Sequence, residues 1–229
     1  MNLDENHARP IVSVDLAIFA LSQAGLEVLL IRRSAEPFAR QWALPSGWIH
    51  VDEDLDIETT ARRVLTEKTG IETPYLEQLQ TIGNATRDPR GWTVSVVYVA
   101  LISADDVRSR EEYSADFAWW PVRGDTTEVA VAFDHADIVR AALTRIRNKV
   151  EYSTLPVHLL PAAFTLSELQ SVYEQILGRR IDKSAFRKRM AEADFVEPIQ
   201  GEMRRASNRP AQIYRLKSGG TTMFFDRTI

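Results

Sequence analysis

The chain has 229 residues, of which 45% are hydrophobic and 26% charged, with no cysteine and a net charge of −4. This length predicts one or two domains, and the composition excludes a wholly disordered chain, a collagen and a coiled-coil rod. The absence of cysteine excludes a disulfide scaffold, a cysteine nucleophile and a thiolate metal site, and it fits a reducing cytoplasm. The sequence shows no secretory signal and no apolar stretch of bilayer length, so we expect no membrane partner.

The two parts of the chain carry opposite net charge. Residues 1–152 contain 16 Lys and Arg against 24 Asp and Glu, a balance of −8, whereas residues 153–229 contain 12 against 8, a balance of +4. Such asymmetry is typical of an acidic body joined to a basic module that meets a polyanion, although two domains can also differ by chance. We therefore predict domains at 1–152 and 153–229.

Strand and helix patterns alternate in the first domain. Apolar, β-branched runs predict strands at 11–20, 26–32 and 93–102, with a hairpin turn at 22–25 and a loop-rich turn at 42–49. Helical spacing predicts one helix over 56–69, stopped by Gly70, and a second from the N-cap Asp134 to about Lys149. Strands interleaved with helices indicate an α/β domain with a mixed sheet flanked by helices.

The second domain has the pattern of a winged helix-turn-helix. Thr165 and Glu168 form a capping box at the start of one helix, which Gly178 ends. Asp182 caps a second, basic helix that runs to about Ala193. Short segments at 196–199 and 212–217 then flank a basic loop at 203–210. This order of elements favours a DNA-binding domain, and the alternative is a protein-docking domain whose basic residues form a solvated face.

The predicted DNA contacts lie on the second helix and in the wing. On the helix they are Lys183, Ser184, Arg187, Lys188 and Arg189. In the wing they are Arg204, Arg205 and Arg209. Residues after the N-cap of a recognition helix meet base edges and phosphates, whereas wing residues mostly touch phosphates or the minor groove.

Residues 47–71 resemble a degenerate Nudix box, the loop-helix motif that holds a divalent metal against a nucleoside diphosphate linkage. Gly47 and Glu53 fit its opening, and residues 63–71 fit its close after a two-residue insertion. The family's three metal-binding glutamates lie at helical positions i, i+3 and i+4, which are Val64, Glu67 and Lys68 in this chain.

Only one carboxylate remains at these positions, beside an ammonium. We therefore expect no bound metal and no efficient hydrolysis. The alternative is a nucleoside-diphosphate hydrolase in which Glu53, Asp54 or Glu58 supplies the missing ligand. The four histidines have no metal-ligand spacing.

Further segments resemble the NrtR family of Nudix-related transcriptional regulators. Residues 42–47 resemble the Trp-x-Leu-Pro-Gly-Gly lead-in, and residues 75–79 and 86–96 resemble the ADP-ribose-recognising branch. Segments between 159 and 214 resemble the family's C-terminal domain, with Ala185 where the family often has Asn.

The resemblance implies a repressor of bacterial NAD-metabolism genes. Such a protein binds a palindromic double-stranded operator as a homodimer and senses ADP-ribose, a nucleotide-sugar effector, without a cofactor. Relatives also regulate pentose-sugar genes, so another phosphorylated metabolite is an alternative effector.

The expected ligand-binding residues are Trp42, Arg63, Glu67, Arg87 and Arg90. Trp42 either stacks on an adenine or belongs to the core. Arg87 and Arg90 either present guanidinium groups to a pyrophosphate or pair with Asp88. For Arg63 we favour a structural role, in which it holds Glu67 in place. Three hypotheses thus stand: a ligand-gated DNA-binding regulator, a hydrolase, and a module that docks another protein.

Overall fold

The computed structural model describes residues 9–22, 25–70, 73, 75–103, 116–205, 210–217, 222–225 and 229. In the first domain the described strands are β1 (Ile11–Ser22), β2 (Gly25–Arg32), β3 (Trp42–Ala43), β4 (Ser46–Trp48), β5 (Tyr75–Asn84), β6 (Thr93–Ile102), β7 (Phe117–Arg123) and β8 (Thr126–Thr127). The helices are α1 (Ile57–Thr69) and α2 (His135–Tyr152). The alternation confirms the predicted α/β class.

These strands form one mixed sheet in the order β5-β6-β1-β2-β7-β8. β1 and β6 run parallel, with Ile11 opposite Thr93 and Ala20 opposite Ile102, and the other neighbours are antiparallel. The predicted loop-rich turn at 42–49 contains two short strands, since β3 pairs with β2 and β4 with β1. Pro45, which has no N–H to donate, separates them.

A helix covers each face of the sheet at β1. Successive strand side chains point to opposite faces. Leu16 and Ile18 therefore lie in one buried cluster with Ala61, Val64 and Leu65 of α1. On the other face, Ala17 and Phe19 lie in a second cluster with Ile138, Ala142 and Leu143 of α2.

Local capping explains the ends of α1 but not the start of α2. Asp56 Oδ1 accepts a hydrogen bond from the Thr59 N–H at 2.7 Å, and Gly70 ends α1 with a left-handed φ of 62°. Asp134 occupies the N-cap position of α2 as predicted, yet its carboxylate does not cap the helix. The helix ends at Tyr152, beyond the predicted end at Lys149.

The second domain is a winged helix. It contains a 3-10 helix (Leu155–Leu159), β9 (Phe164–Thr165), α3 (Leu166–Leu177), α4 (Lys183–Ala193), β10 (Val196–Arg204) and β11 (Ala211–Leu216), with the sheet order β10-β11-β9. The capping box is present, because the Glu168 N–H donates to Thr165 Oγ1 at 3.2 Å and the Thr165 N–H to Glu168 Oε2 at 2.7 Å.

The wing differs in one respect from the prediction. β10 continues past a bulge between Pro198 and Met203 as far as Arg204, so Arg204 belongs to a strand rather than to the basic loop. Of the rest of the predicted basic loop, residues 206–209 lie outside the described part of the chain.

The two predicted domains share a core. One buried cluster runs from Phe19 and Ile146 of the first domain into Tyr173 and Phe186 of the second. The boundary between residues 152 and 153 stays a prediction. Within the described ranges, no helix is long and apolar enough to span a bilayer.

Candidate functional site

A cleft of about 230 Å³, which we call the main cleft, lies where β1, β4 and the start of α2 meet the β5–β6 connection. Its lining includes Asp15, Arg33, Ser46, Trp48, Arg87, Asp88, Arg90 and His135. The β5–β6 connection is held by Asn84, whose side-chain oxygen accepts from the N–H groups of Thr86 at 2.8 Å and Arg87 at 2.7 Å. This turn, of a kind common for asparagine, directs Arg87 into the cleft.

Arg87 bridges two carboxylates in the floor of the main cleft. Its guanidinium donates to Asp15 at 3.0 Å and to both oxygens of Asp134 at 2.9 Å, and its side chain is 5% exposed. Burial raises the pKa of the Asp15 carboxyl, but the interactions with His135, with the hydroxyls of Ser95 and Ser46 and with Arg87 lower it by more, so the pKa lies below its ordinary value. The bond to Arg87 also explains why Asp134 does not cap α2.

His135 forms part of the cleft wall as a neutral imidazole. Its Nδ1 accepts a hydrogen bond from the Leu44 N–H at 2.9 Å, which places the ring proton on Nε2. Burial lowers the pKa of His135. Nε2 lies 3.8 Å from Asp15 Oδ1, so its proton faces the carboxylate that Arg87 also binds.

Arg90 and Trp48 form one wall of the main cleft. The Arg90 guanidinium pairs with Asp88 at 2.7 Å and lies 4.9 Å from the centre of the Trp48 ring. Trp48 is 44% exposed, so an aromatic face is available beside a cation. Trp48 was not among the residues predicted from the sequence, although it directly follows residues 42–47, which resemble the Nudix lead-in.

Trp42, the predicted stacking residue, is not in the lining of the main cleft. It packs edge-on against Trp120 at 5.6 Å, and Arg32 lies 4.8 Å above its ring. These contacts match the core alternative that the sequence left open.

Arg63 and Glu67 do not line the main cleft, but Arg63 contacts the backbone of a residue that does. Arg63 donates two bonds of 2.8 Å to Asp54, one of 3.1 Å to Glu67 and one of 2.9 Å to the Trp48 carbonyl. These hydrogen bonds connect α1 to the segment that carries Trp48. The carboxylate partner of Arg63 is Asp54, whose side chain is 1% exposed. Glu53, which fits the Nudix box by spacing, pairs instead with His50.

The positions of the Nudix metal ligands do not fit a divalent cation. Val64 is 1% exposed and packs so closely on Gly47 that a β-carbon there would lie 2.4 Å from a valine methyl. Glu67 is bound to Arg63, and Lys68 carries a positive charge. Among the described residues, no three His, Asp or Glu side chains are grouped to hold a metal ion.

The alternative carboxylates are also occupied. Glu53 pairs with His50, Asp54 with Arg63 and Glu58 with Arg62. The structure therefore gives no support to a repaired metal site among these three residues.

The Asp54–Arg63 pair leads to a pH-dependent stability. Hydrogen bonds from Arg63 hold the pKa of Asp54 well below its usual range. A carboxyl whose pKa is lower in the folded chain stabilises the fold above its unfolded pKa of about 3.9, and the contribution is lost as pH falls. We expect Asp54→Asn to lower the Tm at pH 7, and the difference from wild type to shrink below about pH 4.

Thermal unfolding followed by circular dichroism at pH 7, 4, 3 and 2 measures this effect, because the contribution of the pair is lost between the unfolded and the folded pKa. Glu53→Gln, at an exposed neighbouring carboxylate, is the control and should leave Tm nearly unchanged. A Tm difference for Asp54→Asn that stays constant across this range would contradict the assignment.

The basic face of α4 is exposed. Phe186 and Met190 are buried, whereas Lys183, Ser184, Arg187 and Lys188 point to solvent. Lys188 lies 3.9 Å from Glu192, and Lys183 and Arg187 form no ion pair with described residues. Arg189 differs from the other predicted contacts because it is half-buried and lies 5.5 Å from the Phe225 ring.

The wing residues differ in their surroundings. Arg204 pairs with Glu168 and donates to the Ala163 carbonyl at 3.2 Å, so it joins β10 to the start of α3. Arg205 is exposed just after β10. Arg209 lies outside the described residues.

A C-terminal segment, Met223–Phe225, joins the end of α2 to α4. The Phe225 N–H donates to the Tyr152 carbonyl at 2.7 Å, and the Phe224 ring stacks on Tyr152 at 6.0 Å. The Phe225 ring lies under Arg189 of α4. One helix therefore carries a cleft residue, His135, at its start and contacts the basic helix through this segment at its end.

Two family models match separate parts of the chain. A model of the NUDIX domain matches residues 12–141, and a model described as the NrtR DNA-binding winged helix domain matches residues 156–216. The chain thus combines a Nudix domain with a winged helix domain of the NrtR type. It belongs to the NrtR family of Nudix-related transcriptional regulators, as the sequence resemblance indicated.

Two named relatives cover nearly the whole chain, and a third covers about two thirds of it. The ADPR responsive transcriptional repressor NtrR of Acinetobacter baylyi is 44% identical over 92% of this chain and 83% of its own length. The crystal structure of Shewanella oneidensis NrtR complexed with a 27mer DNA has a TM-score of 0.88 at 39% identity and covers 95% of this chain and 99% of that one. The NUDIX domain of the same NrtR complexed with ADP ribose has a TM-score of 0.53 at 35% identity and covers 63% of this chain and 94% of that one.

Proposed function

We propose that this protein is a transcriptional repressor that binds double-stranded operator DNA through its winged helix domain and releases it when ADP-ribose enters the main cleft. One observation carries the proposal: the exposed basic face of α4 belongs to a chain that resembles, over 95% of its length, an NrtR structure solved on DNA. The ADP-ribose complex of a related Nudix domain supports the choice of effector.

The DNA-binding part of the proposal has a direct test. We expect duplexes from upstream of the organism's own NAD-metabolism genes to include one bound about 1,000-fold more tightly than a shuffled duplex. Fluorescence anisotropy at several salt concentrations measures both affinities. Equal affinity for every fragment and its shuffled control would overturn the proposal and favour a protein-docking domain.

The assembly is proposed to be a homodimer. Helix-turn-helix proteins generally read two half-sites that lie about one helical turn, or a multiple of it, apart. Light scattering at micromolar concentration tests this, and a monomer both free and on DNA would contradict it. Control of NAD-metabolism genes and a cytoplasmic location complete the proposal, with no cofactor required.

We propose that α2 transmits effector binding to the DNA-binding helix. Its 18 residues span about 27 Å. A ligand that contacts Arg87 competes with Asp134 at the start of α2, and any resulting shift reaches α4 through Tyr152, Phe225 and Arg189. A ligand changes DNA affinity only by binding the two arrangements unequally, and a packed helix that contacts both sites provides such a two-state element.

Phe225→Ala is expected to uncouple the two sites. Saturating ADP-ribose should weaken wild-type operator binding by roughly 5- to 150-fold, the usual range of allosteric coupling. In the variant, ADP-ribose should weaken operator binding by only about twofold, because the ring that contacts Arg189 is removed. The DNA affinity in the absence of ligand should change little. Anisotropy titrations with and without ADP-ribose measure both quantities.

Leu55→Ala is the matched apolar control, at a residue of the first domain that is 90% exposed. In this variant, ADP-ribose should weaken operator binding as much as in the wild type. A variant Phe225→Ala with full wild-type coupling would exclude this route.

We further propose that the Nudix domain is not a hydrolase. Magnesium requires near-octahedral oxygen ligation. The buried Val64 offers no oxygen ligand, and the ammonium of Lys68 repels a metal ion, so both residues support the absence of hydrolysis. With magnesium or manganese, AMP release from ADP-ribose should stay below about 0.01 per second, against a typical enzyme rate of about 10 per second. Chromatographic detection of AMP measures this rate, and turnover near 1 per second would contradict the proposal that the domain is not a hydrolase.

A further inference from the structure

A second cleft of about 310 Å³ lies beside the main cleft. Arg33, Ala35 and Ser46 line both clefts. We call the second one the cation cleft, because Arg32, Arg33 and Lys68 line it together with one carboxylate, Asp116. Three cations against one anion is an unusual balance in a domain whose net charge is −8.

In the described part of the chain, none of the three cations lies within ion-pair distance of a carboxylate, although Arg33 interacts at longer range with Asp88, Glu36 and Asp15. The Arg32 Nε is buried without a hydrogen-bond acceptor. Arg33 donates to the carbonyls of Pro37 at 2.7 Å and Ala35 at 3.3 Å, and to no carboxylate. By contrast, Arg63, Arg87 and Arg90, which lie in or next to the main cleft, each bind a carboxylate.

Lys68 reaches the cation cleft from α1, at a position where a Nudix box has a metal-binding glutamate. In such a box the metal ion neutralises the phosphate oxygens of the ligand. An ammonium at that position carries positive charge itself and repels the metal. Arginine binds phosphate through paired N–H groups, and lysine acts as a compact point charge, so the two types together suit a phosphate dianion.

We propose that the cation cleft binds the phosphate or pyrophosphate group of the effector directly, with Lys68 and Arg32 replacing the metal. The phosphate-bearing ligand is taken from the proposed function, whereas the anion site itself is not. Because Arg33 and Ser46 border both clefts, an extended nucleotide sugar can place its phosphates here and another group beside Trp48 in the main cleft.

Lys68→Met tests the proposal with little effect on folding, because the side chain is exposed on α1. Isothermal titration calorimetry without divalent metal should show a loss of ADP-ribose affinity of roughly 10- to 100-fold, as for a lost hydrogen bond to a charged group. Lys68→Arg should restore most of the affinity. Arg62→Met removes the same charge from the same helix outside the cleft and should change affinity by less than about twofold.

Inorganic pyrophosphate, titrated into the same proteins, separates this proposal from the choice of effector. Pyrophosphate binding that depends on Lys68 supports the anion site even if ADP-ribose does not bind. ADP-ribose binding that is equal in wild type, Lys68→Met and Arg62→Met would overturn the anion site and leave the proposed effector intact. Binding of neither ligand to wild type would overturn both.

Discussion

Replacing Arg87 by methionine is expected to lower the free energy of unfolding by about 3 to 5 kcal/mol, the usual result of removing one partner of a buried ion pair. Asp15 and the Arg87 side chain are 4% and 5% exposed, so the carboxylate would be left buried beside Asp134 without its cation. Urea unfolding monitored by tryptophan fluorescence measures the loss.

Two further variants identify the cause of that loss. Arg62→Met, at an exposed pair with Glu58, should cost no more than about 1 kcal/mol. Adding Asp15→Asn to Arg87→Met should recover part of the stability, because the uncompensated charge is removed. A loss below about 1 kcal/mol for Arg87→Met alone would show that the pair is not a structural element.

Arg87 and Arg90 differ in their accessibility to a ligand. By their positions in the sequence, Arg87 and Arg90 are equivalent candidates for binding a pyrophosphate. Arg87 is fixed between two carboxylates, whereas the Arg90 side chain is 39% exposed against Trp48. The Arg90 guanidinium is therefore more accessible to a ligand than that of Arg87, although its substitution also leaves the buried Asp88 carboxylate without its ion-pair partner, and both ligand-binding roles stay predictions.

The combined variant Lys183→Ala, Arg187→Ala and Lys188→Ala is expected to weaken operator binding by about 100-fold or more at physiological salt. Each contact to a base edge contributes about 1 to 3 kcal/mol, and each lost phosphate contact reduces the salt slope by about one. The three side chains are exposed on α4, so the thermal unfolding of the protein should stay unchanged.

A matched control removes three exposed cations from the first domain. Arg62, Arg123 and Arg140 are 50%, 75% and 49% exposed, and their replacement by alanine makes the same change in net charge. Anisotropy titrations across a range of salt concentrations should show near-normal operator binding for this control. Equal losses in the two triple variants would mean that net charge, rather than α4, determines DNA affinity.

The helices were predictable because their boundaries depend on neighbouring residues. Asp56 and Gly70 cap α1, and Thr165 with Glu168 starts α3, all through contacts within four residues. β5 was missed because it is an edge strand, largely outside the core, whose bulge between Gln78 and Gln80 breaks the alternating pattern.

The site was less predictable because its partners are distant in sequence. Arg87 binds carboxylates 47 and 72 residues away, and no local pattern identifies them. Asp54 rather than Glu53 binds Arg63, since the loop from Gly47 brings the later carboxylate to the helix. The choice of Trp48 over Trp42 as the cleft aromatic likewise depends on Pro45, which separates two strands that face different neighbours.

The most direct test of ligand-gated repression is the affinity of the wild-type protein for its operator, measured by fluorescence anisotropy with and without saturating ADP-ribose. AMP at the same concentration serves as the control ligand. We expect ADP-ribose to weaken binding by roughly 5- to 150-fold and AMP to have a much smaller effect. An operator affinity that is the same with and without ADP-ribose would contradict the proposal that this Nudix domain controls the DNA-binding domain.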